Sequence, residues 1–516
     1  MELNLVKEEI SANETVYNGS LELGVESDYV LPDYLPDINR ILKCTINGRI
    51  TSKQFFGDKA TIDGYSLIKL VYLSDNLKAI KIAQIRIPFS KNYETKTKDE
   101  SLFIEAQCLT DYCNCRVINQ RRVDIRGAIS IFIRLSHQKI NSIITDVAGK
   151  DIQLNKNLIS SLKTIAIQSK QFTLTDEIDF NEDDSDIAEI INISAVEKLE
   201  DVKIITNKVI LKGDVKIKAF CQKEDDDKID YTYVNRTIPF SQIIDLDGIN
   251  EDSFVNVKVE IIGADGEIIN ESAKTAEGAE FNVTILITIE GYKKSEDFII
   301  TDAYSIKYPC NFKSEQIPLQ QNVASLDEQI SFRDEFNLEE EQIYQVFETS
   351  SEIIDFKTEI NDGIMLFKGD LLYQIIGQNT SNEIVLIEKN GTFEFKKQIS
   401  NNLTEDIVFD GQVKFNEIPE YNLSEQSITI KGQIELSGLV LGKTYVDGIT
   451  EIEVDEDNPK QLKSNAALII YYADKNENIW DIAKKYNTNP EKIIEDNELD
   501  SKQTTEKTML LVQSEM

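Results

Sequence analysis

Along much of this chain apolar side chains fall at every second position, a period that suits an extended strand with one buried face. Val209, Leu211, Gly213, Val215, Ile217 and Ala219 alternate with Ile210, Lys212, Asp214, Lys216 and Lys218. Val123, Ile125, Gly127, Ile129, Ile131, Ile133 and Leu135 repeat the pattern, as do Ile428, Ile430, Gly432, Ile434 and Leu436. Each run carries a glycine near its middle, where strands bulge, bend or let another backbone approach. The chain must therefore build sheets, and it must do so several times.

The glycines also recur at long range. Asp63-Gly64, Lys212-Gly213-Asp214 and Lys368-Gly369-Asp370 lie about 150 residues apart. Ile87-Pro88-Phe89-Ser90 follows the first and Ile238-Pro239-Phe240-Ser241 the second, whereas the third slot reads Gly391-Thr-Phe-Glu-Phe395. Gly64 to Gly127 and Gly369 to Gly432 both span 63 residues, and 281–290 is the candidate strand in the middle copy. A period this long means whole domains in tandem, because stacked solenoid repeats run about 20–50 residues. The expected fold is mainly β: three tandem sandwich-like modules at 1–172, 190–322 and 343–450, with a small βααβ domain at 465–516. Acidic stretches at 174–189, 324–342 and 450–463 read as linkers.

Composition excludes more than it proposes. The 516 residues hold 91 acids against 55 Lys and Arg, a formal charge of −36, which disfavours unaided binding to nucleic acid or anionic lipid. His137 is the only histidine, which removes His-rich metal sites and most His-based acid–base designs. No phosphate loop, dinucleotide fingerprint, zincin motif or nucleophile elbow occurs, and an enzyme is not expected; nor is a cofactor. Asp33 and Asp37 are four apart, but Pro36 between them favours turn-setting over an acid–base pair. Cys108, Cys113 and Cys115 form a local group without a clear fourth zinc ligand, so buried or free thiols are favoured over a metal. Asn181-Glu-Asp-Asp-Ser-Asp186 lacks the EF-hand arrangement and reads as solvated linker before it reads as a calcium site. Sparse cysteines, and the want of a signal peptide or an apolar run of about 18 residues, point to a reducing cytoplasm.

The tail changes period. Ile479, Ile482, Ala483 and Tyr486 recur at helical spacing, Asn489-Pro490 caps a second helix, and Ile493 and Ile494 supply its apolar stripe. Trp480, the sole tryptophan, sits in the first helix as either a core aromatic or a binding anchor.

Two segments resemble known families. Ile479-Trp480-x-Ile482-Ala483-x-x-Tyr486, then Pro490 and Asn497-x-Leu499, is similar to the lysin-motif (LysM) domain. Leu31-Pro32-Asp33-Tyr34-Leu35-Pro36-Asp37-Ile38 with Arg40-Ile41-Leu42 resembles the opening of the spore-coat SPOCS domain. Three β-rich modules with a LysM tail resemble a spore-coat morphogenesis family. That resemblance implies a non-enzymatic scaffold of the mother-cell cytoplasm at the forespore surface. Its implied partner is the coat ATPase, stage IV sporulation protein A, bound through the LysM domain. Trp480, Ile482, Lys484, Tyr486 and Ile493 are the expected LysM contact residues, some of them core. The alternative is a peptidoglycan or N-acetylglucosamine binder. Glycan-binding LysM domains carry Gly-Asp-Thr before the first helix, where this chain has Asn476-Glu477-Asn478, and Pro-Gly before the last strand, where it has Thr504-Thr-Glu-Lys507. Self-association through β edges is a further expectation, common to any sandwich.

Overall fold

The computed structural model describes residues 4–75, 79–94, 102–149, 151–181, 186–225, 228–272, 275–338, 342–399, 407–425, 427–460 and 468–513. The calcium reading at 181–186 falls mostly outside them. The chain is mainly β. Its first module holds β1 (Asn4–Val30), β2 (Ile38–Phe56), β3 (Lys59–Ser74), β4 (Ile80–Glu94), β5 (Phe103–Asn119) and β6 (Arg122–Ala148). They form two antiparallel sheets in the orders β1-β6-β5 and β2-β3-β4. The second module repeats this with β7 (Ile152–Asp179), β8 (Ile187–Ile205), β9 (Lys208–Asp225), β10 (Lys228–Asp245), β11 (Phe254–Ser272) and β12 (Thr275–Ser305). Its sheets run β11-β12-β7 and β10-β9-β8. The third has β13 (Cys310–Asn337), β14 (Ile343–Asn361), β15 (Ile364–Asn379), β16 (Ile384–Gln398), β17 (Val408–Phe415), β18 (Glu420–Leu423) and β19 (Ser427–Val454), with orders β13-β19-β17 and β14-β15-β16. Each module buries the apolar faces of its two sheets against each other, as Ile68, Leu70 and Tyr72 of β3 meet Val123, Ile125 and Ile129 of β6.

The recurring glycines have one cause. Gly64, Gly213 and Gly369 pair across the sheet with Phe89, Phe240 and Phe393. A Cβ on Gly213 would lie 2.3 Å from the Lys198 carbonyl oxygen and 2.8 Å from the Phe240 ring, and Gly64 is hemmed in alike by Arg49 and Phe89. The aromatic ring covers the glycine, which explains why the third module keeps Phe393 although it lacks the proline.

The acidic stretches do not mark the boundaries. Residues 152–172, expected at the end of the first module, belong with 173–179 to β7 and pair along their length with β12. Residues 310–337, expected to divide between the second module and a linker, form β13 and pair with β19. Each module therefore opens with a long strand, and those of the second and third begin inside what composition assigns to the module before. Glu177 and Asp179 of β7 and Glu315, Asp327 and Glu335 of β13 are exposed on the solvent face, whereas Asp176, Glu328 and Asp334 are half-buried, so these acids belong to strands and not to linkers.

These long pairs are kinked by bulges in the same two places. The register skips Val16, Ile165 and Val323 on the opening strands. On their partners it skips Thr145, Thr301 and Thr450. Beyond the kinks each pair continues as a two-stranded ribbon, and the three ribbons pack together: Ile144, Ile300 and Ile449 meet, as do Val147, Ala303 and Ile452. At another level Val71, Phe220 and Ile376 meet, each seven residues after the module's first glycine. The three modules are thus arranged about a common centre with register-equivalent residues facing each other.

Candidate functional site

Three places collect the residues that could carry chemistry or binding. The first is the acid-rich centre. Glu105 of β5, Glu290 of β12 and Asp410 of β17, one from each module, bring carboxylate oxygens within 4.8 Å of one another, a spacing that could hold a metal ion. Lys258 of β11 already sits among them. Its ammonium pairs with Asp410, lies 3.5 Å from Glu290 and 3.9 Å from Glu105, and Arg134 of β6 reaches Glu105 at 2.6 Å. Tyr292 donates to Glu290, and Asn256 donates to the Asp410 carbonyl at 3.0 Å. Burial, then the neighbouring Asp410, pushes Glu290 up to about 8. Burial would raise Asp410 too, but Lys258 and Arg134 outweigh it and hold it low. Three acids and two bases balance once one acid keeps its proton, and Glu290 is that acid. The set is a closed ionic layer joining the modules, with the lysine where a cation would go. Register makes Glu105, Asn256 and Asp410 equivalent, and likewise Arg134, Glu290 and Leu439.

The second place is the Leu31–Ile38 turn. Arg121 fills it, donating to the carbonyls of Leu31 at 3.2 Å, Pro32 at 2.8 Å and Leu35 at 3.2 Å, and to Asp37 at 2.7 Å. Asp33 lies 3.7 Å from the same guanidinium. The two aspartates are turn anchors on one arginine rather than an acid–base pair. The nearby cysteine group is a cluster of free thiols in which Cys44 meets Cys113 and Cys115.

The third is the tail, where β20 (Leu468–Ala473), α1 (Ile479–Tyr486), α2 (Pro490–Asp496) and β21 (Thr508–Gln513) form the expected βααβ unit. Asn478 caps α1 by accepting from the Trp480 amide at 3.0 Å, and Asn489 caps α2 ahead of Pro490. Asn497 ties α2 to β21 through the amide and the carbonyl of Leu511. Asn476 adopts a left-handed φ of 64°, so the loop before α1 keeps a turn that favours glycine. That loop and the one before β21 bond directly to each other, Asn476 N–H to the Thr504 carbonyl at 2.8 Å and Thr504 N–H to the Glu477 carbonyl at 3.1 Å.

The five expected contact residues do not share one surface. Ile482 and Ile493 are core, each about 1% exposed. Tyr486 leans edge-on against Tyr471, ring centres 5.7 Å apart. Trp480 and Lys484 face the second module. Trp480 Nε1 donates to Asp302 Oδ2 at 2.8 Å, and Lys484 Nζ lies 2.7 Å from both Asp302 oxygens. Tyr304 stacks edge-on to Trp480 at 5.0 Å and donates to the Thr488 carbonyl at 2.6 Å. Lys460 bridges the Ser305 carbonyl and Asn487. Tyr304 and Ile306 join the apolar core of the tail. The helix face expected to meet a partner is therefore docked on the end of β12. Sequence reasoning missed Asp302, although a signal was present: Ile143-Ile-Thr-Asp146 recurs as Ile299-Ile-Thr-Asp302.

What remains open on the tail is the outer face of its sheet. Leu468, Ile470 and Tyr472 of β20 and Met509 of β21 are 50%, 55%, 76% and 52% exposed, with Tyr472 directly opposite Met509. No helix among the described residues is long and apolar enough to cross a membrane.

Comparison with protein families agrees with this architecture. Residues 37–118 and 186–269 match the model described as SipL, SPOCS domain, and residues 471–503 match the LysM domain. No curated protein and no solved structure matches the chain. The chain thus carries two segments similar to the SPOCS domain and one similar to the LysM domain, both of them non-catalytic domain families. The third module, outside the matched segments, repeats the strand order of the other two.

Proposed function

We propose that this chain is a non-enzymatic scaffold of spore-coat assembly that works in the mother-cell cytoplasm at the forespore surface. Its LysM domain recruits the coat ATPase, stage IV sporulation protein A, and the three modules hold that domain in a fixed place. The observation that carries the reading is the combination of SPOCS segments with a LysM domain whose outer sheet face is apolar and open. An exposed apolar strip of this kind on an acidic, well-charged protein marks an interaction surface. Of the helix residues, Trp480 and Lys484 are spoken for by Asp302, so the contact falls on Ile470, Tyr472 and Met509 first, with Tyr486 at its side.

The test is a pull-down of the ATPase with the full chain, a chain lacking 464–516, and Tyr472→Ser. Loss of capture in both variants is expected, with Tyr472→Ser still folded because its side chain is exposed. Undiminished capture by the deletion would sink the proposal.

A peptidoglycan-binding LysM is the second reading, favoured by one observation, the left-handed turn kept at Asn476. Against it, the two loops that border the glycan groove in this family are bonded to each other here through Thr504. Co-sedimentation of the full chain with murein sacculi, reduced by Asn476→Pro, would favour this alternative.

A further inference from the structure

Between the first and second modules lies a cavity of about 180 Å³ whose lining includes Arg49, Lys69 and Arg86 but a single carboxylate, Asp265. We propose that it binds a small dianionic oxyanion of the phosphate type. The charge argument comes first. Three cations against one acid leave an excess of two positive charges, in a chain whose overall charge is −36. Among the described residues none of the three cations makes an ion pair, in contrast to Lys258, Lys414 and Lys81 at other module junctions. Glu260 and Glu348 stand nearby and act on Arg49 and Lys69, but each is shared, the first with Lys53 and the second with Lys43 and Lys218.

The geometry agrees. Among the described residues the Arg49 guanidinium makes one hydrogen bond, to the Ile261 carbonyl at 3.3 Å, and its Nε is buried without a partner. A buried unpaired donor of a charged group is costly, and an acceptor in the cavity relieves it. Burial lowers the pKa of both Arg49 and Lys69, the cost of holding these charges away from water. Arg86, at the rim, lies over the Tyr65 ring at 5.4 Å, which presents its guanidinium at the mouth. Opposite, the bulge at Ile262 breaks the β11–β12 register where that strand lines the cavity, and bulges re-aim backbone at binding sites. Two guanidinium forks and an ammonium suit the several acceptor oxygens of a phosphate. The volume far exceeds the roughly 15 Å³ that one water needs, so a small oxyanion with accompanying waters fits.

The experiment uses the full chain at pH 8, with sodium phosphate against sodium chloride at equal ionic strength, followed by thermal unfolding and titration calorimetry. Phosphate is expected to raise the unfolding midpoint saturably, as a ligand of the folded state does. Lys69→Met and Arg86→Ala are each expected to weaken phosphate binding about tenfold or more, the usual scale for losing a charge-assisted hydrogen bond. Lys313→Ala, an exposed pair with Glu451 far from the cavity, should keep the full response. Arg86 is exposed, so its variant folds and decides the matter even if Lys69→Met does not. A response equal in phosphate and chloride, or one retained in Arg86→Ala, would overturn the proposal.

Discussion

The chain has two kinds of junction. At the centre, five charged groups from three modules interlock, Glu290 and Asp410 buried and the other three half-buried, and each strand involved also contributes to its own module's core. At the tail, one half-buried carboxylate, Asp302, takes an indole and an ammonium, with Tyr304 beside them. In the centre a missing partner leaves a charge stranded away from water, which is severe. At the tail, water can replace what is lost. The modules are therefore one body, while the LysM domain is joined to it through Asp302 and through Tyr304 and Ile306, which enter its apolar core.

Removing the central cation tests this contrast most strongly. Lys258→Met leaves Asp410, Glu290 and Glu105 facing each other, and a loss of about 3–5 kcal/mol in denaturant-monitored stability is expected. A loss below about 1 kcal/mol would mean that the layer does not bind the modules together.

The proton on Glu290 comes next. Its pKa, pushed up to about 8 from an ordinary 4.5, means that the folded chain holds this proton more tightly than the unfolded one. The resulting stability is complete below about 4.5 and is lost as pH rises through about 8, each tenfold gain in proton affinity being worth about 1.4 kcal/mol. Glu290→Gln keeps a neutral donor beside Asp410 and should remove this part of the decline in melting temperature between pH 6 and 9. Equal slopes for variant and parent would contradict the assignment.

Smaller effects are expected at the tail. Asp302→Ala unpairs Trp480 Nε1 and Lys484, weakening docking by about 1–3 kcal/mol. Trp480 is the sole tryptophan and 8% exposed, so a red shift of its emission reports undocking directly, with the modules' unfolding midpoint almost unmoved. Lys484→Ala, at an exposed pair, should cost only about 0.2–1 kcal/mol in the same readout. Should Asp302→Ala instead lower the midpoint as far as Lys258→Met, the two junctions would not differ in kind.

Local order was legible in the sequence. The alternating strands, the glycines under Phe89, Phe240 and Phe393, and the capped helices of the tail all depend on residues within one hairpin or one turn. The module edges were not, because the acids of β7 and β13 lie within strands, most of them on the wet face, yet look like linker in composition. Nor was the ionic layer: among 91 acids, nothing local distinguishes Glu290 or Asp410 from the rest. Their burial follows from packing between strands more than a hundred residues apart. Asp302 lay between these cases, flagged by the repeated Ile-Ile-Thr-Asp but given its role only by contact with a distant helix.

The equivalence of Glu105, Asn256 and Asp410, and of Arg134, Glu290 and Leu439, also bears on how such a chain can be shuffled. The third module brings an aspartate to the middle but no base, having Gln412 where the second has Lys258 and Leu439 where the first has Arg134. Asp410 finds its cations only in the other two. Tandem duplications invite slippage, in which one repeat takes the seat of another within a chain or between neighbouring molecules. A third module seated in place of the first or second would keep three acids in the layer and take away one of its two bases, so the differences among the repeats act as a key that gives each module one seat.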